Sequence, residues 1–226
     1  MGKMGFAAIA VAVSLMGAAP AGAASLLTSS GGYTGPILDL GVYSGQYYTF
    51  TAGPLTLPGG ITYSAQSPSS VLGIGGYGIN GNGVSENTDI IGTNTDSTFV
   101  TLEFDTAVAM FGGGFNYATS DGNGTPLYAA VIIRAFDEAD VLIAEYDIGD
   151  LAPIATPGAT DAFAFRGIDG GGQLIKRFEF GGSYAIMAAR GTDSVVPEPG
   201  TWALMILGFG SAGAMLRRRR SAPTAA

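Results

Sequence analysis

The chain has 226 residues, neither cysteine nor histidine, and a formal net charge of −8 at pH 7. Those two absences exclude disulfides, thiolate nucleophiles, Cys- or His-ligated transition metals and histidine general bases. The length allows one domain of ordinary size, with a core large enough to stand without covalent bracing.

Residues 1–23 read as a secretory signal peptide. Lys3 is the short positive region, Phe6–Met16 the apolar core, and Pro20 the break. Ala21-Gly22-Ala23 fits signal peptidase, so cleavage is expected between Ala23 and Ala24.

Residues 24–190 read as an all-β domain. Glycine is abundant, at 37 residues, and Gly/Asn/Asp clusters punctuate short apolar runs. Gln46–Thr51 and Ile61–Ala65 read as early strands around a turn at Gly53–Gly60. Val71–Val84 reads as a turn-rich surface segment, since no helix follows its glycines to complete a phosphate-binding loop. In Thr98–Phe104, Val100, Leu102 and Phe104 share one face. Thr101, Glu103 and Asp105 share the other, as in a half-buried antiparallel strand. Ala107–Phe111 and Gly113–Ala118 follow, with a bend or bulge expected at Gly112-Gly113-Gly114. Tyr128–Phe136 and Val141–Asp147 form the clearest hairpin. Ala162–Phe165, Gln173–Phe180 and Ser183–Ala189 bring the count to about ten strands. The expectation is an antiparallel β-sandwich or jelly roll.

Chemistry-bearing constellations are few. Glu103 and Asp105 would stand about 6.5–7 Å apart on one strand face, a spacing that overlaps paired-carboxylate glycosidases and equally fits any acid-x-acid strand in solvent. No catalytic residue is assigned, and the protein is expected not to be an enzyme. No cofactor is required. Calcium is a minority candidate, with Asp121 and Asn123 in one turn and Asp137 and Asp140 in another, both also ordinary turn residues. Ten tyrosines offer platforms for a glycan, but the sequence does not say which are exposed.

Charge is distributed unevenly. Between Ser25 and Pro199 there are 18 acids and five bases (Arg134, Arg166, Lys176, Arg177 and Arg190). An acidic body repels nucleic acid, so no nucleic-acid partner is expected.

The C-terminal end has three parts. Residues 191–200 are a linker, kept extended by Pro197 and Pro199, which display Glu198 between them. Residues 201–216 carry no charge and would form a helix of roughly 24 Å at about 1.5 Å per residue, short for a membrane span of about 30 Å. Trp202 suits the headgroup level, and Arg217, Arg218, Arg219 and Arg220 in residues 217–226 hold the far end cytoplasmic.

Pro197-Glu198-Pro199, Trp202-Ala203, Gly208-Phe209-Gly210 and the arginine cluster closely resemble the PEP-CTERM sorting signal in its PEPxxWA form. The same tail is also labelled an ice-binding protein C-terminal domain, although no residue of it points to ice. The resemblance implies an exported protein of a polysaccharide-producing Gram-negative bacterium, inserted transiently in the inner membrane. An exosortase, an integral membrane protease, would read the tail and deliver the domain to the cell surface or matrix.

A looser resemblance to ectodomains found upstream of such tails rests on Val108-Ala109-Met110-Phe111-Gly112, Phe136-Asp137, Phe165-Arg166-Gly167-Ile168 and Ile175–Phe180. It implies a β-sandwich similar to carbohydrate-binding modules and carries no site residue. Extracellular polysaccharide is the candidate partner. A structural or glycan-associated role comes first, a calcium-dependent adhesion or carbohydrate-binding module second, and a glycoside-active enzyme last.

Overall fold

The computed structural model describes residues 22–189. The expected signal helix (but for its last residues), the linker with its Pro-Glu-Pro motif, the membrane helix and the basic tail lie outside the described residues. Two antiparallel sheets make up most of the fold. The seven-stranded sheet runs in the order β1 (Ser25–Leu27), β13 (Ala164–Asp169), β10 (Met110–Tyr117), β15 (Ala185–Ala188), β8 (Ile90–Gly92), β5 (Val71–Gly73) and β2 (Thr49–Phe50). The six-stranded sheet runs β12 (Leu142–Asp147), β11 (Ile132–Phe136), β14 (Ile175–Gly181), β9 (Phe99–Val108), β4 (Ile61–Ala65) and β3 (Leu55–Leu57). A two-residue pair, β6 (Tyr77–Gly78) with β7 (Val84–Ser85), lies outside both. One four-residue helix, α1 (Ile148–Leu151), and one 3-10 turn at Gly41–Tyr43 are the only helical pieces among the described residues.

The sheets stack face to face because their strands alternate. Val100, Leu102 and Phe104 of β9 are buried, while Glu103 and Asp105 are exposed. From β10, Phe111 and Phe115 reach across. Phe111 meets Phe104 at 4.8 Å and Phe178 at 5.0 Å between ring centroids, and Phe115 meets Phe180 at 5.3 Å. All five rings are essentially buried. Offset and edge contacts of this kind add to the burial of the rings themselves. The chain moves between the sheets abruptly. Only Ala109 separates β9 in one sheet from β10 in the other.

The outer face of the seven-stranded sheet is also covered. Val71, Ile90, Ile186 and Ala188 form a second apolar cluster beneath Ile79 and Phe163, with Tyr48 and Tyr77 at its margin. The opposite outer face, on the six-stranded sheet, carries charge instead. Glu179 is nearly buried between two arginines, accepting from Arg134 Nε at 2.6 Å and pairing with Arg177. Arg134 lies over the Phe99 ring at 4.1 Å and Arg177 over Phe136 at 3.7 Å. Both cations stay shielded while neutralising the carboxylate.

The hairpin of β11 and β12 forms as the sequence predicts, though β11 starts at Ile132 rather than Tyr128. Several expectations are corrected. Gly112-Gly113-Gly114 makes no bend: all three sit inside β10 and pair in register with Gly167, Arg166 and Phe165. Their role is close approach. A Cβ on Gly112 would stand 2.5 Å from the Arg166 carbonyl oxygen and 2.7 Å from Gly167 Cα. The Gly53–Gly60 turn contains β3, and Val71–Val84 supplies the fully buried β5 as well as β6 and the start of β7. β1 and β8 are strands that the sequence pattern does not show.

Gly112→Ala should therefore force the β10–β13 pair apart. Overpacking of this kind costs roughly 1–3 kcal/mol, and a fall in the thermal midpoint by calorimetry, with far-ultraviolet circular dichroism unchanged at low temperature, would be the expected result.

Candidate functional site

A cleft opens where β10 ends and β15 begins. Its floor is Ala118 and Ile186, and its walls include Tyr77, Asn80, Tyr128 and Tyr184. Local bonding explains each position. The β6–β7 pair folds back on itself through Ile79 N–H to the Gly83 carbonyl (2.8 Å) and Asn82 N–H to the Ile79 carbonyl (2.8 Å). The Asn82 side chain, fully buried, locks that turn to the body of the protein. Its Nδ2 donates to Asn116 Oδ1 and to the Ile154 carbonyl, both at 2.8 Å, and its Oδ1 accepts from Thr156 N–H at 2.6 Å. Asn116 Nδ2 in turn donates to the Ala162 carbonyl at 2.8 Å. A buried amide satisfied on both ends is rigid, and losing one partner would strand the other.

The opposite wall is set by the backbone. Ala118 N–H donates to the Tyr184 carbonyl and Leu127 N–H to the Ala118 carbonyl, both at 2.9 Å. These bonds bring the Tyr128 and Tyr184 rings to a 5.2 Å tilted contact, with Tyr128 exposed. Tyr77 closes the third side, its hydroxyl donating to Asn94 Oδ1 at 2.9 Å. The cleft holds about 250 Å³, below the roughly 300–1,000 Å³ of pockets that enclose drug-sized ligands, so it suits one small ring. Apolar ring faces beside amide and phenol groups can stack on the C–H face of such a ring while bonding its hydroxyls. A shallower hollow of about 420 Å³ adjoins the cleft along Gly78, Ile79 and Asn80, and a separate cavity of about 200 Å³ lies beside Tyr33, Leu38 and Phe165. There the Tyr33 hydroxyl is already committed, donating to the Pro36 carbonyl at 2.7 Å and accepting from Gly112 N–H at 3.2 Å.

The residues singled out from the sequence fall elsewhere. Glu103 and Asp105 stand on the exposed face of β9, Glu103 opposite Arg177. On β14, Glu179 is nearly buried by its pairing with Arg134 and Arg177. Asp121 accepts from Asn123 N–H at 2.8 Å and Thr125 Oγ1 at 3.0 Å, and the Asn123 bond leads the effects that lower its pKa. Asp137 accepts from Ala139 and Val141 N–H, both at 2.9 Å, and Asp140 pairs with Arg177. These carboxylates are turned onto their own loops or onto a guanidinium, and among the described residues no three acidic side chains gather as a metal shell. Ala23 and Ala24 lead directly into β1, with the Ala24 carbonyl accepting from the Tyr146 hydroxyl at 2.9 Å. Pro197, Glu198, Pro199, Trp202, Ala203 and Arg217 to Arg220 lie outside the described residues. Sequence reasoning named the ten tyrosines but missed the convergence of Tyr77, Tyr128 and Tyr184 with Asn80 and Asn94. The glycine-dense run around Tyr77 was its one local signal.

Comparison with known proteins adds one match. The model of the PEP-CTERM protein-sorting motif matches residues 195–220. No curated protein and no solved structure matches the chain. The chain carries a PEP-CTERM sorting domain at its C-terminal end.

Burial pushes the Tyr33 and Tyr77 hydroxyls from 10.0 up to about 12, with Tyr184 and Tyr48 adding to the effect at Tyr77. A pKa raised by folding gives stability that is complete below the unfolded value and lost as pH rises through the folded one. Thermal midpoints should therefore hold steady to about pH 10 and fall between 10 and about 12. Tyr77→Phe should make that fall shallower, and melts across the pH range would measure it.

Proposed function

We propose that this is an exported cell-surface or extracellular-matrix protein whose folded domain associates with extracellular polysaccharide through the tyrosine cleft. The observation that carries the export reading is the sorting motif at residues 195–220. In this reading signal peptidase cuts after Ala23. Residues 201–216 hold the chain briefly in the inner membrane, and an exosortase recognises Pro197-Glu198-Pro199. The two prolines keep the peptide extended for the enzyme's groove, and Glu198 offers a charge-assisted contact. Trp202 and the four arginines set depth and orientation. The protein is the substrate of that chemistry and not its catalyst.

The glycan reading is supported by the cleft, where aromatic faces and amides meet at the scale of one sugar ring. It is also supported by the destination that the motif implies.

Two outcomes are expected. Glu198→Gln should leave export intact and impair processing, so that intact mass shows an uncut C-terminal end retained in the membrane fraction. Unchanged processing would count against the role given to Glu198. Tyr184→Ala should weaken glycan binding by about tenfold, measured by affinity electrophoresis with the full chain in mild detergent.

A further inference from the structure

Beside the cleft lies an exposed aromatic ledge. Tyr47 and Phe50 are 71% and 51% exposed. Single exposed rings are ordinary on a protein surface, but these are joined. Tyr47 stacks on Tyr48 at 4.7 Å, Tyr48 meets Phe50 at 5.8 Å and Tyr77 at 5.6 Å. Tyr77 is also a wall of the cleft. We propose that the ledge of Tyr47, Tyr48 and Phe50 is a second binding surface, continuous with the cleft through Tyr77. Together the two would hold an extended, uncharged polysaccharide chain. The proposal rests on the glycan reading of the cleft and adds the length and charge of the ligand.

Three observations support it. The first is that the ledge is built and held. Tyr48 N–H donates to the Ile74 carbonyl at 2.7 Å, and Ile74 N–H to the Gln46 carbonyl at 2.8 Å, pinning both tyrosines to the glycine-rich segment. Gly75, at φ 134°, lets the Tyr47 ring approach; a Cβ there would stand 2.7 Å from Tyr47 Cε2.

The second is scale. The cleft takes one ring, and two further exposed rings, Tyr47 and Phe50, stand beside it, joined to Tyr77 through Tyr48. A chain with one unit in the cleft can lay its next units on Tyr47 or Phe50.

The third is charge. The cations among the described residues lie elsewhere. Arg166 is buried and bonded to the Ala152 carbonyl, and Arg134, Lys176 and Arg177 belong to the six-stranded sheet. Acids border the aromatic surface instead. Asp89 accepts from Gly45 N–H at 2.7 Å beside the ledge, and Asp96 is two residues beyond Asn94. An anionic chain would meet repulsion on this face.

The test compares a neutral β-glucan, a carboxylated polysaccharide and a disaccharide as probes of the full-length chain in mild detergent. Affinity electrophoresis serves for the polymers and calorimetry for the disaccharide. Tyr47→Ala and Phe50→Ala should each weaken polymer binding by roughly five- to tenfold and leave the disaccharide unaffected. Tyr184→Ala should weaken both. Neutral polymer should bind equally at low and high salt, and the carboxylated chain more weakly at low salt. Polymer affinity unchanged in Tyr47→Ala and Phe50→Ala, or a preference for the carboxylated chain, would overturn the ledge while leaving the cleft in place. A change in oligomeric state alone would assign the ledge to a protein contact and overturn it too. Failure of the unmodified chain to bind any of the probes would remove the glycan reading beneath it.

Discussion

Two asparagine side chains, Asn82 and Asn116, set where the outer surface of this protein lies. Their amides face each other at 2.8 Å inside the fold, and each is satisfied by backbone from a third segment, Ile154 to Ala162. The turn after β6, the end of β10 and the long connection to β13 are thereby tied at one point. Hydrophobic burial alone would allow these loops several positions. A buried amide pair allows one, because any shift strands polar groups away from water. The wall of the cleft at Ile79 and Asn80 follows from that constraint, and so does the angle at which Tyr77 meets its neighbours.

The sheets beneath depend on a different device. Phe111 lies between Phe104 and Phe178, while Gly112 beside it lies flat against Gly167. One large residue fills the inner layer, and the next residue, having no side chain, lets the outer layer close. The two outer faces then diverge in chemistry. On the six-stranded sheet, arginines stacked on phenylalanines bury a glutamate. On the seven-stranded sheet, tyrosines and amides gather over aliphatic residues. Only the second offers both apolar faces and unspent hydrogen-bonding groups in a concave place.

The strands plainest in the sequence are those with one wet face. β9 shows its alternation through Thr101, Glu103 and Asp105, and β11 with β12 shows a hairpin through its acidic turn. β8 stayed hidden because Ile90 and Ile91 point to opposite sides and both are buried, so no alternation exists to be seen. The glycines of β10 suggest a bend for a related reason: their partners, Gly167, Arg166 and Phe165, lie more than fifty residues away in the chain, and local punctuation cannot report a cross-strand contact. The tail was legible because its information is local, with motif, span and charge in order. The cleft was not, because Tyr77, Asn94, Tyr128 and Tyr184 are distant in the chain and meet only through the fold.

The register of the seven-stranded sheet also places the cleft relative to the two ends of the described fold. Ser25 lies level with Asp169 and Met110, and Tyr117 lies level with Ala185. β1 therefore starts at the end of the sheet where β10 starts, and β15 runs toward that same end as it approaches Ala188. The described fold is entered at that pole, and its last strand runs toward it. Tyr184, Asn94 and Ala118 sit at the other. Whatever is joined to the fold through Ala189 is therefore approached from one side, and the tyrosine cleft opens on the other.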